Sequence, residues 1–447
     1  MRGPVLPVSY HRLRRRPYRI VSAVLHKIPA RLSRRDSPRP QVGTLIFRRR
    51  NPSRMTTLPG PTLGVVGGGQ LGRMLAEAAA PLGVEVIVLD PTPQCPASLV
   101  ARDQIVGEFD DPDAVRELAA ASDVLTFEIE LADPDLLEDV ADEYDIPINP
   151  DPGTLRTIQD KLVQKEALAD AGIPVPDFIG IGGEKDLRLA VEELDGVMLK
   201  AREGGYDGRG NTPVQDPDDA ADALNELGVD TMAEAFVPFE RELSVIGVKG
   251  ADGVDTYPVT ETIHEEEILR ASVSPARTDD DVRDRAREVA RDVLEFLDGY
   301  GVYGIELFET EDGDILVNEI APRPHNSGHW TIEGARTSQF ETHVRAVLGW
   351  PLGPTALREP TVSVNILGDV SEPEAATLHN VDRVLDSPNA HMHWYGKKQV
   401  RPLRKMGHIT VTDPDAADGE GADDASDRDA LLDRAESIRD SVTFVGE

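Results

Sequence analysis

The feature that most constrains the fold is a glycine-rich turn between an apolar strand and a helix. The apolar run 63–66 leads into Gly67-Gly68-Gly69-Gln70-Leu71-Gly72, which precedes a helical run at 73–81. A second apolar run, 85–89, ends on Asp90. Strand, Gly-x-Gly-x-x-Gly, helix, strand and acid form the dinucleotide-binding pattern, which predicts a parallel α/β unit with a phosphate at the helix N-terminus.

This pattern leaves two interpretations open. An NAD-dependent oxidoreductase would use the glycine turn and Asp90 to hold its dinucleotide. An enzyme with another phosphorylated substrate would use the same backbone amides, because a helix N-terminus attracts phosphate whichever ligand carries it. Other parts of the chain must distinguish the two.

A second constraint is a hairpin that carries two glutamates. The apolar runs 302–308 and 315–317 flank an Asp-Gly turn, which is typical of a β-hairpin. Such a hairpin places Glu306 and Glu319 on neighbouring strands, with Asn318 beside them. Oxygen ligands of this kind suit Mg²⁺ held together with nucleotide phosphates. The structural alternative is an ordinary hairpin with one charged face.

The segment after Glu319 favours the functional interpretation. It reads Ala321-Pro322-Arg323-Pro324-His325-Asn326-Ser327-Gly328-His329-Trp330-Thr331. So dense a set of polar groups in a loop is typical of substrate-binding machinery.

Three further features indicate phosphate binding. The apolar run 196–199 ends on Lys200, in a chain with only eight lysines after residue 54. The loop 204–211 has four glycines within seven residues, whose amides can close over phosphates. Five cations lie between Lys397 and Lys405 and predict a second phosphate pocket. The structural alternatives are a solvated strand end, a plain flexible loop and a generic basic patch.

The charge distribution divides the chain into two parts. Residues 1–54 hold 15 Lys and Arg and one acid, whereas residues 55–447 hold 32 basic and 80 acidic residues. A very acidic, lysine-poor surface suits molar salt, which screens self-repulsion, and we expect a halophilic prokaryote as the source. Residues 1–54 lack periodicity and are expected to be disordered, with the true start near Met55.

Composition also excludes some classes. The single Cys95 cannot form an intrachain disulfide and fits a reducing cytoplasm. No apolar run approaches membrane-spanning length. The acidic part would repel nucleic-acid backbones, so neither a membrane nor a nucleic acid is an expected partner.

The run Asn-Glu-x-Ala-Pro-Arg-x-His-Asn-Ser-Gly-His-Trp-Thr from Asn318 resembles the signature of the N5-carboxyaminoimidazole ribonucleotide synthases, ATP-grasp enzymes of purine biosynthesis. The resemblance extends from about residue 63 to about residue 411. It implies a mixed α/β and α+β architecture with a Rossmann-like N-terminal domain, an ATP-grasp domain and a small β-rich C-terminal domain. The expected segments are a basic extension (1–54), the three domains (55–156, 157–355 and 356–412), and an acidic linker with a final helix (413–447).

The resemblance also implies an activity. The family carboxylates 5-aminoimidazole ribonucleotide with bicarbonate and ATP, through carboxyphosphate, and Mg²⁺, a homodimer and a cytoplasmic location are expected with it. A formate-dependent glycinamide ribonucleotide transformylase shares the fold and is the first alternative. The NAD-dependent oxidoreductase and a non-catalytic homologue are the others.

Site residues follow from the same resemblance. The implied catalytic residues are Tyr206, Asp207, Arg209 and His325, and the implied metal ligands are Glu306, Asn318 and Glu319. ATP contacts are implied for Lys161 (commonly Arg in the family), Lys200, Gly205, Tyr206, Asp207, Gly208, Arg209, Gly210, Asn211, Glu234, Ala235, Phe236, Val237, Glu242, His264, Asn318 and Glu319. Ribonucleotide contacts are implied for Gly69, Gln70, Arg323, Asn326, Ser327, Lys397, Arg404 and Lys405.

Overall fold

The computed structural model describes residues 56–204, 210–416 and 425–445, and the structural statements below concern these residues. The chain begins with a four-stranded parallel sheet in the order β3-β2-β1-β4. Its elements are β1 (Thr62–Val66), α1 (Gln70–Ala79), β2 (Glu85–Leu89), β3 (Asp103–Ile105), α2 (Pro112–Ala120), β4 (Val124–Phe127), α3 (Pro134–Tyr144) and α4 (Pro152–Gln159). The parallel α/β unit predicted from the glycine turn is therefore confirmed.

A small antiparallel sheet follows, in the order β5-β8-β6-β7. Its apolar face packs against two helices, which leaves the other face to the rest of the molecule. The elements of this region are α5 (Lys161–Asp170), β5 (Phe178–Ile181), α6 (Glu184–Leu194), β6 (Val197–Ala201), β7 (Asn211–Val214), α7 (Ala220–Leu227) and β8 (Thr231–Ala235).

A nine-stranded antiparallel sheet forms the largest layer, in the order β14-β13-β9-β11-β12-β15-β19-β17, with β10 paired to β9. Its first elements are β9 (Phe239–Gly250), β10 (Gly253–Thr256), β11 (Thr260–Glu265), β12 (Ile268–Ser274), α8 (Asp280–Phe296), β13 (Gly301–Thr310) and β14 (Ile315–Ala321). The elements that follow along the chain are α9 (Thr331–Gly334), α10 (Gln339–Val347), β15 (Thr361–Leu367), β16 (Glu374–Ala375), α11 (Val381–Leu385), β17 (Ala390–Trp394), β18 (Gln399–Val400), β19 (Lys405–Thr412) and α12 (Ala425–Arg439). Strands β16 and β18 do not join the large sheet but pair with each other.

The core under the large sheet forms because α8 is amphipathic. Ala286, Ala290 and Leu294 recur at helical spacing, and all three are buried in one cluster with strand residues such as Leu243 and Ile305. The apolar residues at helical spacing in 283–297 predict an amphipathic helix, and the structure confirms it with a start three residues earlier.

The C-terminal strands continue the large sheet. Ser272 of β12 pairs with Ser363 of β15, and Asn365 of β15 pairs with His408 of β19. The backbone ladder therefore crosses the domain boundary expected near residue 356. Within the described ranges, no helix combines the length and the apolar character needed to cross a bilayer.

Candidate active site

Two glutamates face each other at the edge of the large sheet. Glu306 of β13 is in register with Glu319 of β14, as the hairpin pattern predicts. Burial and the charge of Glu319 raise the pKa of Glu306. Partial desolvation opposes ionisation of the half-exposed Glu319 as well, but the ammonium of Lys161 outweighs it and lowers the pKa of Glu319. The pair is a concentration of negative charge that calls for a cation.

Three lysines contact three successive residues of β14. Lys165 Nζ donates to the carbonyl oxygen of Val317 at 2.9 Å. Lys200 Nζ lies 3.3 Å from Asn318 Oδ1, and Lys161 Nζ lies 2.5 Å from Glu319 Oε1. Lys161 and Lys165 are one turn apart on α5, so both project from the same face of the helix.

Glu234 joins two of these lysines behind the strand. Its Oε1 is 2.5 Å from Lys200 Nζ and its Oε2 is 2.8 Å from Lys165 Nζ. Burial opposes ionisation of Glu234, but the two lysines outweigh it and lower its pKa to about 2. Burial lowers the pKa of Lys165 to about 8, against the attraction of Glu234.

The glycine loop starts from the same lysine strand. Lys200 of β6 is directly opposite Asn211 of β7, and Gly204 and Gly210, which flank the loop, both have positive φ. The remaining predicted loop residues, Gly205, Tyr206, Asp207, Gly208 and Arg209, lie outside the described residues.

The other predicted nucleotide residues lie around the connection from β8 to β9. Glu234 and Ala235 end β8, and Phe236 and Val237 lead to β9, which carries Glu242. Glu242 Oε2 lies 2.9 Å from His264 Nδ1 on β11. Burial lowers the pKa of His264, but the Glu242 carboxylate outweighs it, so the net shift is upward.

The polar turn after β14 packs tightly on β13. A methyl group at Gly304 would lie 2.4 Å from the His325 Cβ, so only glycine allows this approach. His325 Nδ1 lies 2.8 Å from Ser327 Oγ, which lies 2.6 Å from Ser244 Oγ, while His325 Nε2 faces Glu306 Oε1 at 3.6 Å. Burial, with the charges of nearby Arg323 and Lys405, holds the pKa of His325 well below its usual value, so the imidazole is neutral.

Asn326 and Arg323 complete the turn. Both amide atoms of Asn326 are buried and have no hydrogen-bond partner among the described residues. Buried polar groups are normally paired, so a polar ligand is the natural partner for this amide. The Arg323 guanidinium lies 2.8 Å from Glu130 Oε1, an acid that the sequence analysis did not assign.

The glycine turn of the parallel sheet is filled by the protein's own acids. Gly68 N donates to Asp90 Oδ2 at 3.0 Å, and Gly69 N donates to Glu128 Oε1 at 2.6 Å, just before Gln70 starts α1. A dinucleotide pyrophosphate would need these amides, and Asp90 would need to be available to a ribose. The geometry therefore disfavours the oxidoreductase interpretation.

The C-terminal cations lie on the segment that leads into β19. Lys397 Nζ donates to the carbonyl oxygen of Lys405 at 2.7 Å, and Arg404 Nη1 donates to the Gln399 carbonyl oxygen at 2.8 Å. The charge of Lys405 also acts to lower the pKa of both Glu306 and His325.

Three histidines are stacked next to the polar turn, of which His329 and His408 are buried and His393 is partly exposed. The ring centroids of His329 and His408 are 4.7 Å apart, and those of His408 and His393 are 4.4 Å apart. His393 Nε2 contacts Glu333 Oε1 at 2.8 Å, and Tyr395 Oη lies 3.0 Å from His408 Nδ1. Burial keeps the pKa of His329 and of His408 well below the usual value, so both rings are neutral.

The structure thus brings Lys161, Lys200, Glu306, Asn318 and Glu319 together at the β13–β14 edge of the large sheet. Gly69 and Gln70 lie at the parallel sheet, and Lys405 lies on β19, towards the opposite edge of the large sheet. Sequence reasoning missed Lys165, Glu130 and Ser244. For Lys165 a signal existed, since it follows Lys161 by one helical turn in a chain poor in lysine. For the other two, no local pattern distinguishes them from ordinary surface or strand residues.

Comparisons with known proteins agree with this geometry. Three domain profiles match the chain: a ribonucleotide synthetase preATP-grasp domain at residues 61–159, an ATP-grasp domain at 166–340, and a phosphoribosylaminoimidazole carboxylase C-terminal domain at 361–420. N5-carboxyaminoimidazole ribonucleotide synthase of Brucella melitensis is 41% identical over 363 residues, which cover 80% of this chain and 97% of the relative.

Solved structures show the same similarity. The N5-carboxyaminoimidazole ribonucleotide synthetase of Thermotoga maritima is 41% identical, with a TM-score of 0.76 and coverage of 87% of this chain and 100% of that one. The Aspergillus clavatus synthase, solved with ADP and 5-aminoimidazole ribonucleotide, is 38% identical, with a TM-score of 0.76 and coverage of 85% and 98%.

The fold and the site define an ATP-grasp enzyme. Its features are a parallel α/β domain, a small sheet whose strand β6 carries Lys200 and leads into a glycine loop, and a large sheet with the Asn318–Glu319 pair. The three domain matches in this order narrow the class. The chain belongs to the family of the N5-carboxyaminoimidazole ribonucleotide synthases.

Proposed function

We propose that this chain catalyses the ATP-dependent carboxylation of 5-aminoimidazole ribonucleotide with bicarbonate, which yields N5-carboxyaminoimidazole ribonucleotide, ADP and phosphate. The observation that carries the proposal is the convergence of Lys161, Lys200 and the Glu306–Glu319 pair on one strand edge, beside the neutral His325. The family membership supports the same reaction.

The cations and amides of the small sheet serve the nucleotide. Lys161 and Lys200 would hold its phosphates, together with Gly210 and Asn211 at the end of the glycine loop. Gly205, Tyr206, Asp207, Gly208 and Arg209 are proposed as further nucleotide contacts from the family resemblance. The backbone from Glu234 to Val237 would hold the adenine, and Glu242, positioned by His264, would accept hydrogen bonds from the ribose hydroxyls.

A divalent cation fits the carboxylate pair. An ammonium already sits 2.5 Å from Glu319 Oε1, so this position accommodates positive charge. Among the described residues no three His, Cys, Asp or Glu side chains are grouped as a metal site, so Glu306, Asn318 and Glu319 would share Mg²⁺ with phosphate oxygens of the nucleotide. Mg²⁺ would neutralise charge that spreads over the transferring phosphoryl group.

Bicarbonate attacks the γ-phosphorus of ATP, and the P–O bond to ADP breaks, which gives carboxyphosphate. Carboxyphosphate then releases CO₂ and phosphate, and the exocyclic amine of the ribonucleotide attacks CO₂ to form a carbamate. The unpartnered Asn326 amide and Arg323 would bind the carboxylate or phosphate oxygens. A closed site keeps water from carboxyphosphate.

The ribonucleotide would lie between the N-terminal and C-terminal parts of the site. Gly69 and Gln70 would border it on one side, and Lys397, Arg404 and Lys405 would bind its 5′-phosphate on the other. Ser327 contacts His325 and supports its orientation. His325, Tyr206 and Asp207 are the candidates to accept the proton of the amine.

The proposal also includes the oligomeric state, the location and the origin of the protein. We infer a homodimer and a cytoplasmic location from the resemblance, and a halophilic origin from the acidic composition. We also propose that the first four segments of the chain end at residues 54, 156, 355 and 412.

The first test is release of ADP by the full chain in molar KCl with Mg²⁺ and bicarbonate. We expect turnover only when 5-aminoimidazole ribonucleotide is present. Glu319→Gln should lower the rate on the order of 100-fold, because it removes a charge that acts on the phosphoryl group. Glu311→Gln, at the exposed tip of the same hairpin, should leave the rate unchanged.

The control reaction contains glycinamide ribonucleotide and formate in place of the proposed substrates. Turnover with that pair would assign the chain to the transformylases. Absence of turnover in both assays, together with binding of NADH, would restore the oxidoreductase interpretation.

A further inference from the structure

Glu234 is a buried carboxylate with two lysine partners. Its side chain is 3% exposed, as is that of Lys165, whereas that of Lys200 is 13% exposed at the open side of the cluster. A buried charge that loses its partner is strongly destabilising. One lysine would be enough to neutralise Glu234, so the second requires an explanation.

The two lysines differ in what else they can reach. Lys165 is held from behind by the carbonyl oxygen of Val317, and its helix is fixed at its first turn because Arg202 pairs with the capping residue Asp160. Lys200, in contrast, follows Leu199 towards the glycine loop, and among the described residues its side chain contacts only Asn318, at 3.3 Å, besides its pair with Glu234. Lys165 is therefore held in place by several contacts, whereas Lys200 lies at the proposed nucleotide site.

When the nucleotide binds, a lysine that contacts its phosphates must break or weaken the ion pair that it makes with a carboxylate of the protein. If Lys200 were the sole partner of Glu234, its movement to a phosphate would leave a buried carboxylate without compensation. Lys161 has no such difficulty, because its partner Glu319 is 49% exposed and water can solvate it.

We propose that Lys165 is a positioning residue that keeps Glu234 neutralised and so releases the Lys200 ammonium to the nucleotide phosphates. This inference rests on the proposed ATP-dependent function. It assigns Lys165 no contact with ATP: its effect on the nucleotide passes entirely through Glu234 and Lys200.

The test measures binding of MgADP and MgATP by calorimetry, with thermal unfolding to confirm that each variant is folded. Lys165→Met should weaken nucleotide binding about tenfold to 100-fold, because Glu234 then retains Lys200 and a charge-assisted contact is lost. Lys165→Met combined with Glu234→Gln should recover most of that loss, since a neutral amide no longer retains Lys200.

The recovery distinguishes this role from a merely structural one, which predicts that the double variant is at least as impaired as the single one. Lys249→Met is the matched control, because the Lys249 ammonium also donates to a backbone carbonyl, that of Leu297, at a distance from the site. Its binding should equal that of the unmodified protein.

Three results would overturn the inference. They are unchanged binding in folded Lys165→Met, no recovery in the double variant, or an equal loss in the Lys249 control. Lys165→Gln, which keeps a donor for Val317 and removes only the charge, replaces the methionine variant if that one does not fold. Failure of the unmodified protein to bind nucleotide would instead overturn the proposed function, and the inference with it.

Discussion

Glu128 and Glu234 are both buried glutamates, yet their surroundings shift the pKa of each in opposite directions. Glu234 has two ammonium partners, which lower its pKa to about 2. Burial raises the pKa of Glu128 to about 7, because the amide of Gly69 and the charge of Arg323 compensate only part of the lost hydration. Burial opposes ionisation of both carboxylates, and the nearby cations decide which of the two ionises easily.

The Glu128 shift predicts a change in stability with pH. Since its pKa is higher in the folded state than in the unfolded state, ionisation favours unfolding as pH rises from about 4.5 to above 7. Glu128→Gln removes this effect and keeps an acceptor for Gly69 N. We expect its free energy of unfolding, relative to the unmodified protein, to increase by up to about 3 kcal/mol over that range. Denaturant unfolding at several pH values measures it.

Glu117→Gln serves as the control for that measurement. It makes the same chemical change on the exposed face of α2, and the result for Glu128→Gln is compared with it at each pH. A difference that stays constant with pH for Glu128→Gln would contradict the assignment of a raised pKa.

For single residues, the sequence predicts which side chains are functional but not which side chains they contact in the fold. The Glu306–Glu319 pairing follows from strand alternation and the Asp-Gly turn, so it could be predicted. The contact of Lys165 with Glu234 joins residues 69 positions apart through a helix and a strand of different layers. Neither periodicity nor composition carries that information.

Among the elements, the β13–β14 hairpin and the turn after it depend on close packing. Gly304 lies on a buried strand, and the His325 Cβ occupies the space that a side chain would need. Gly304→Ala should displace His325, with overpacking that costs about 1–3 kcal/mol of stability and a loss of turnover. A melting curve and the ADP assay report the two effects.

Gly183→Ala provides the comparison for Gly304→Ala. A Cβ at Gly183 would meet nothing within 4 Å. This residue directly precedes α6, a helix that packs against the small sheet. We expect a small effect on stability and none on turnover. If Gly304→Ala behaved like Gly183→Ala, the tight approach of strand and turn would not matter for His325.

Single elements could be predicted better than their assembly. Aspartate is a favoured helix-capping residue, and α5 begins at Lys161, directly after Asp160, whereas α1 begins at Gln70, three residues before the predicted helical run. The pairing of β12 with β15 brings together strands separated by α8, the β13–β14 hairpin, α9 and α10. Such distant pairing depends on the assembled core, which local patterns do not encode.

For the whole molecule, the dominant physical property is negative charge. Residues 55–447 hold 80 acidic and 32 basic side chains. Mutual repulsion should oppose folding at low salt, and molar KCl shortens its range to a few ångströms. We expect the unfolding midpoint temperature to rise steadily between 0.1 M and about 3 M KCl, as measured by circular dichroism.

A charge-reduced variant separates screening from general salt effects. Asp139 and Asp142 lie on the exposed side of the acidic helix α3, three residues apart. Changing both to Asn should stabilise the protein by a few tenths of a kcal/mol at 0.1 M KCl, and the gain should vanish at high salt. A gain that persists in molar KCl would show that the acids do not act through repulsion.

The strands from β14 to β17 form one continuous hydrogen-bonded sheet, which limits how segments can be exchanged between related enzymes. Exchange of the C-terminal segment between relatives would cut through hydrogen bonds between β12 and β15 rather than through a linker. A chimera joined near residue 356 must therefore inherit matching strand edges from both parents. Acceptor specificity in this scaffold is better altered by exchanging short loops than by transplanting the segment whole.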